Sequence, residues 1–227
     1  WSRAIIARRC GRIELARGHY EALIERAPER LIFYEELASL FDDDGRASQA
    51  VRVLKRAAHR CEPAADRARA LLHLTRREPA SGPSRLRDAY ELGLEREEDV
   101  RLAACLAWRH GLMELLDKVL PEHIPHDAAP ELQLAAARRS VRRLAPRTAL
   151  MHLGRIQPSG LPSRSRVWFH ALQGRARLDL GMDSCRESFS AALEASDAPS
   201  LVALRTARLL TLTSALAGAV GLANETL

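Results

Sequence analysis

The chain has 227 residues, of which 47% are hydrophobic and 28% charged, enough apolar material to build a core and too much for a disordered tail. Aromatics at only 4%, against abundant Ala, Leu and Arg, favour helices packed through small contacts over a β-sandwich or barrel. The net charge of +6 permits an acidic protein, an anionic polymer or nucleic acid as partner and demands none of them.

Apolar spacing predicts a partial helix near residues 1–10 and a second from Ile13 to Ala27, ended by Pro28. Helices over 31–43 and 46–60 follow. Between them Asp42-Asp43-Asp44-Gly45 supplies turn chemistry, because Gly45 adopts positive φ at little cost. Leu37, Ala38, Phe41, Ala50, Leu54 and Ala57 fall on the inner face of this pair, and Pro63 closes it. A third pair is predicted over 64–77 and 84–94, separated by a break at 79–83. A fourth spans 98–110 and 112–120 with Gly111 at its turn. Residues 121–130, with three prolines, read as an exposed loop. A fifth pair covers 131–144 and 147–155, ended by a second break at 157–162. A sixth covers 164–180 and 183–195 around Gly181. Ser200 is placed to cap a last helix from Leu201 towards Leu216. The apolar stretch Leu209–Leu222 is too short and mixed for a membrane span and reads as a buried terminal helix.

The expected fold is therefore all-α: one helical-repeat array over residues 1–227, clearest at 13–63, 97–121 and 164–195, with register breaks at 79–83, 121–130 and 157–162. In such an array each unit buries its apolar face only against its neighbours. The start at Trp1, without a leader, reads as a piece of a larger protein. Nearly all cations are Arg, with Lys55 and Lys118 the only lysines, a bias that GC-rich bacterial coding produces without selection for a partner. Cys10, Cys61, Cys105 and Cys185 lie far apart without metal-ligand spacing and read as small buried helical residues.

On these residues the chain resembles the tetratricopeptide-repeat family. Ala38, Phe41, Gly45, Ala50, Leu54, Ala57 and Pro63 follow the family pattern, as do Ala16, Tyr20 and Pro28 one unit earlier. Gly111 fits with Ala104, Leu116 and Leu120, and Gly174, Gly181 and Phe189 fit with Cys185 and Ala192. The units around 79–94 and 121–160 lack much of the signature. The resemblance implies a right-handed α-α superhelix and protein–protein recognition. It also implies settings such as bacterial envelope machines for exopolysaccharide export, which places the periplasm or cell envelope slightly ahead of the cytoplasm.

In the array that the resemblance implies, the first helices of successive pairs line a groove. The stripe projected onto it carries Arg69, His73, Arg76, Arg101, Trp108, Arg109, Trp168 and Arg175. Arg forks and occasional Trp suit a hot spot that pairs with carboxylates. Trp108, beside the Gly111 turn, fits core as well as groove. Glu35, Ser39, Asp42 and Asp43 make the early part of the face acidic, so a graded groove is expected. The run Arg138, Arg139, Arg142, Arg143 suits phosphates and solubility alike. His123-Ile124-Pro125-His126 is a weak metal candidate, because its proline intervenes and no third ligand lies nearby. Catalytic signatures are absent: there is no HExxH, phosphate-binding glycine loop or nucleophile elbow.

The expected protein is a non-catalytic interaction scaffold without metal or cofactor. It recruits a protein partner, either one with an acidic surface or a polysaccharide-modifying enzyme, and packs against neighbouring repeats; no membrane contact is expected. The competing readings are a structural spacer or self-association module and a nucleic-acid-binding helical-repeat regulator.

Overall fold

A computed structural model of the chain describes residues 1–196 together with 202, 205–209 and 212. Twelve α-helices run through the first 196 residues, and there is no strand among the described residues. Packing divides the chain into two compact units, Trp1–Val119 and Leu120–Leu227. No described helix is long and apolar enough to cross a membrane.

The first unit contains α1 (Ser2–Arg9), α2 (Ile13–Arg26), α3 (Leu31–Asp43), α4 (Ala47–Arg60), α5 (Ala64–Arg77), α6 (Gly82–Leu92), α7 (Glu97–His110) and α8 (Met113–Val119). Consecutive helices pack as the hairpins α1/α2, α3/α4, α5/α6 and α7/α8. Each hairpin also joins the next, since α2 packs on α3, α4 on α5 and α6 on α7. First helices touch one another directly, α3 on α5 and α5 on α7. The second unit repeats this arrangement with α9 (Pro130–Arg142), α10 (Pro146–Leu153), α11 (Ser163–Asp179) and α12 (Cys185–Glu194): α9/α10 and α11/α12 are hairpins, and α11 packs on both α9 and α10.

One local device makes most of these hairpins. Gly11, Gly45, Gly111 and Gly181 each end a first helix at φ between +69° and +72°. The following N–H then reaches back over the turn: Arg12 to the Ala7 carbonyl, Arg46 to Phe41, Leu112 to Ala107 and Met182 to Arg177, at 2.7–2.9 Å. This closure satisfies carbonyls that the helix end would otherwise orphan. The α9/α10 turn has the same closure, Ala145 N–H to Ser140 at 2.9 Å, but its positive-φ residue is Leu144. A β-carbon there costs about 1–2 kcal/mol, and Leu144 is 77% exposed, so little packing offsets it. Leu144→Gly is accordingly expected to stabilise the second unit by about 0.5–1 kcal/mol, net of glycine's greater freedom when unfolded, read as a higher denaturation midpoint.

The third hairpin is built differently. Its break contains a 3₁₀ turn, Pro79–Ser81, and α6 begins at Gly82, two residues before the predicted start, with Pro83 in its first turn. A β-carbon on Gly82 would stand 2.5 Å from the His110 ring, so glycine lets α6 approach the end of α7.

The repeat residues take core or turn positions. Ala16, Tyr20, Ala38, Phe41, Ala50, Leu54, Ala57 and Phe189 are buried. Pro28 receives the Tyr34 hydroxyl at 3.0 Å through its carbonyl, and Pro63 caps the start of α5. Gly174 brings α11 against Phe189 of α12.

Residues 121–130 form the expected loop, largely exposed but tethered: Ile124 is buried, and the Gln133 amide donates to the Pro125 and His126 carbonyls at 2.7 and 3.2 Å. Arg139 donates to the Leu120 and Glu122 carbonyls at 3.1 and 3.0 Å, tying the same segment to α9. With its amide committed, Gln133 accepts through Oε1 from buried His152 Nδ1 at 2.8 Å; burial, then Arg155 and Arg139, push His152 below the usual imidazole range.

The expectation that changes concerns the cysteines. Cys61 and Cys185 are buried, Cys105 is half-buried, and Cys10, which ends α1, is exposed. Burial, reinforced by Asp66, Glu35 and Glu29, pushes the Cys61 thiol up to about 11. A thiol reagent at neutral pH is expected to modify Cys10 promptly and to reach Cys61 and Cys185 only on unfolding, with mass mapping of labelled peptides as the check. The terminal helix expected over Leu201–Leu216 and the apolar Leu209–Leu222 stretch lie largely outside the described residues.

Candidate protein-binding surface

The direct packing of α3, α5 and α7 aligns their outward faces in the first unit. On α5, Arg69, His73 and Arg76 fall at helical spacing along one side. With Ile32 and Glu35 of α3 they line a cleft of about 290 Å³. The cleft is not simply basic. Arg69 Nε donates to Glu35 Oε1 at 2.7 Å, and His73 Nε2 lies 3.1 Å from the same oxygen. Arg69 also stands 3.8 Å from Asp99 at the start of α7.

These contacts pull two carboxyls in opposite directions. Burial pushes the Glu35 carboxyl up, but the His73 hydrogen bond and the Arg69 charge together outweigh it and hold it below the usual carboxylate range. Asp99 is buried without a hydrogen bond of that quality, and desolvation raises it despite attraction from Arg69, Arg96 and His73. The Arg69 guanidinium is committed chiefly to Glu35.

The pairing continues to both sides. Arg8 of α1 reaches across to α3, where its nitrogens meet Glu36 at 2.9 Å, Ser39 at 2.8 Å and Asp43 at 2.6 Å. Tyr20 donates to the same Glu36 at 3.3 Å. Arg77 pairs with Asp42 and donates to the His73 carbonyl at 3.2 Å. The acidic residues expected to grade the groove are thus the partners of its arginines, and the grading is cancelled locally.

The projected stripe therefore separates into distinct fates. Arg69 and His73 are braces between α3 and α5. Arg76 is exposed and makes no ion pair or hydrogen bond among the described residues, beside Ile32 at 42% exposure. Arg101 pairs with Glu97 of its own helix at 2.6 Å. Arg109 is exposed, whereas Trp108 is only 4% exposed and belongs to the core, so it presents no anchor to a partner. In the second unit Trp168 and Arg175 are half-buried on α11, and Arg175 pairs with Asp179 at 2.9 Å. His123 and His126 are exposed, and no group of three or more metal-ligating side chains forms among the described residues.

Arg8 was not a sequence candidate, yet a signal for it exists. Arg8 and Asp43 are 35 residues apart, Arg69 and Glu35 are 34, and Arg77 and Asp42 are 35. Opposite charges one repeat apart mark pairs that stacking of first helices brings together. Neither protein-family models nor curated protein sequences give a match to this chain.

Proposed function

We propose that the chain is a non-catalytic helical-repeat scaffold of tetratricopeptide type, winding as a right-handed superhelix and holding a partner protein along its first helices. The observation that carries this reading is the succession of hairpins, most of them closed by one kind of turn, with α3, α5 and α7 packed side by side. Such stacking offers a continuous face on rigid elements, and Arg76 beside Ile32 is its uncommitted part: a cation able to pair with a carboxylate, next to an exposed aliphatic. A bacterial envelope assembly, including exopolysaccharide export, is the setting suggested by family analogy alone.

The test compares the native chain with an Arg76→Glu/Ile32→Asp variant in affinity capture from fractionated lysate of the source organism. Both positions are exposed, so the variant keeps the braces. A saturable partner lost from the variant supports the reading, whereas equal recovery moves the site elsewhere. The internal pairing of Arg8, Arg69 and Arg77 favours a second reading, a structural spacer. Absence of any partner, with a mass that rises with concentration, would select it.

A further inference from the structure

The turn between α9 and α10 breaks the rule that the other turns of its kind obey. Among the described residues, four of these five turns carry glycine at positive φ, and this one carries Leu144. Leucine is unfavourable here, since the backbone is strained and its side chain, 77% exposed, gains little burial in return.

The surroundings share one character. Arg143 and Arg147 flank Leu144 and are exposed, and their side chains make no ion pair or hydrogen bond among the described residues. Met151, one turn beyond Arg147 on α10, is 49% exposed. From Leu132 to Leu178 the chain has no Asp or Glu but ten arginines. The first-unit face neutralises its arginines with carboxylates one repeat away; this stretch contains no carboxylate of its own to do so. Exposed aliphatics beside two cations whose side chains pair with no carboxylate among the described residues call for a partner that is both anionic and apolar.

We infer that the α9/α10 turn is a contact for an anionic membrane surface. Leu144 enters the interfacial layer, with Met151 at its margin, while Arg143 and Arg147 pair with lipid phosphates. A bilayer needs no complementary pocket, which suits a turn tip. Nucleic acid would supply the phosphates but has no use for Leu144, and α9 and α10 carry no Phe, Tyr or Trp for base stacking. The contact is peripheral and requires no spanning helix. It revises the expectation that this chain meets no membrane, and it is independent of the protein-binding reading.

The test is co-sedimentation of the whole chain with vesicles of phosphatidylcholine alone or with about 30% phosphatidylglycerol, at about 0.1 M salt. Binding to the anionic vesicles only is expected. Arg143→Gln/Arg147→Gln should weaken it roughly thirtyfold, from about a fivefold loss per cation. Leu144→Gly should weaken it roughly fivefold while making the protein more stable, which separates lost contact from lost fold. No binding to anionic vesicles, equal binding to both kinds, or anionic binding that both variants leave unchanged would overturn the inference. So would tighter binding to duplex DNA of matched charge that is indifferent to Leu144→Gly.

Discussion

Gly174→Ala is expected to destabilise the second unit by about 2–3 kcal/mol, although alanine is ordinarily the better helix former. A β-carbon at this position would stand 2.5 Å from two ring carbons of Phe189, which is fully buried between α11 and α12. A buried ring cannot swing aside as the tip of a surface chain can, so the helices must part or the ring must leave its rotamer. Urea denaturation monitored by helicity measures the loss. The mechanism is checked by the double variant Gly174→Ala/Phe189→Leu, which should lose less than the sum of its parts because leucine vacates the contested space. Strict additivity would place the cost in the helix itself and not in its contact with Phe189.

Glu35→Gln is expected to cost the first unit about 2–3 kcal/mol at neutral pH, because it leaves Arg69 and His73 without the carboxylate they share. The side chains of Glu35 and Arg69 are 19% and 20% exposed, so solvent replaces the pair poorly. The pH dependence has a definite sign. The folded carboxyl lies below its ordinary 4.5, so its contribution is complete above that pH and is lost as pH falls through the lower folded value. The gap between native and variant melting temperatures should therefore persist from neutral pH to about 5 and close below 4.5. A gap that persists unchanged into acid would mean that the charge of Glu35 is not what braces α3 to α5.

These two positions differ in how legible they were. Gly174 stood out from the sequence as part of a repeat signature, and the close approach behind it is visible only once α12 lies against α11. Glu35 was read as acidic surface and Arg69 as a partner-binding cation. Each assignment was sound for an isolated helix and changed when α3 met α5. Trp108 moved for the same reason, since its position beside the Gly111 turn suited either face until α7 was packed.

Helix limits, the hairpin succession and the glycine turns could be read within a few residues from apolar spacing, turn chemistry and prolines. They depend on interactions between neighbours along the chain: an i to i−4 hydrogen bond, a residue that tolerates positive φ, a side chain three or four positions away. Which charges cancel, which tryptophan is covered and which proline-rich segment is tied down depend on groups roughly one repeat or half a repeat away in sequence. Arg8 meets Asp43, Arg77 meets Asp42, and Arg139 holds Leu120 only because packed helices deliver them there. Local order is written in short-range periodicity, whereas the chemistry of a repeat surface is set by stacking, which decides whether a charge meets solvent or its complement.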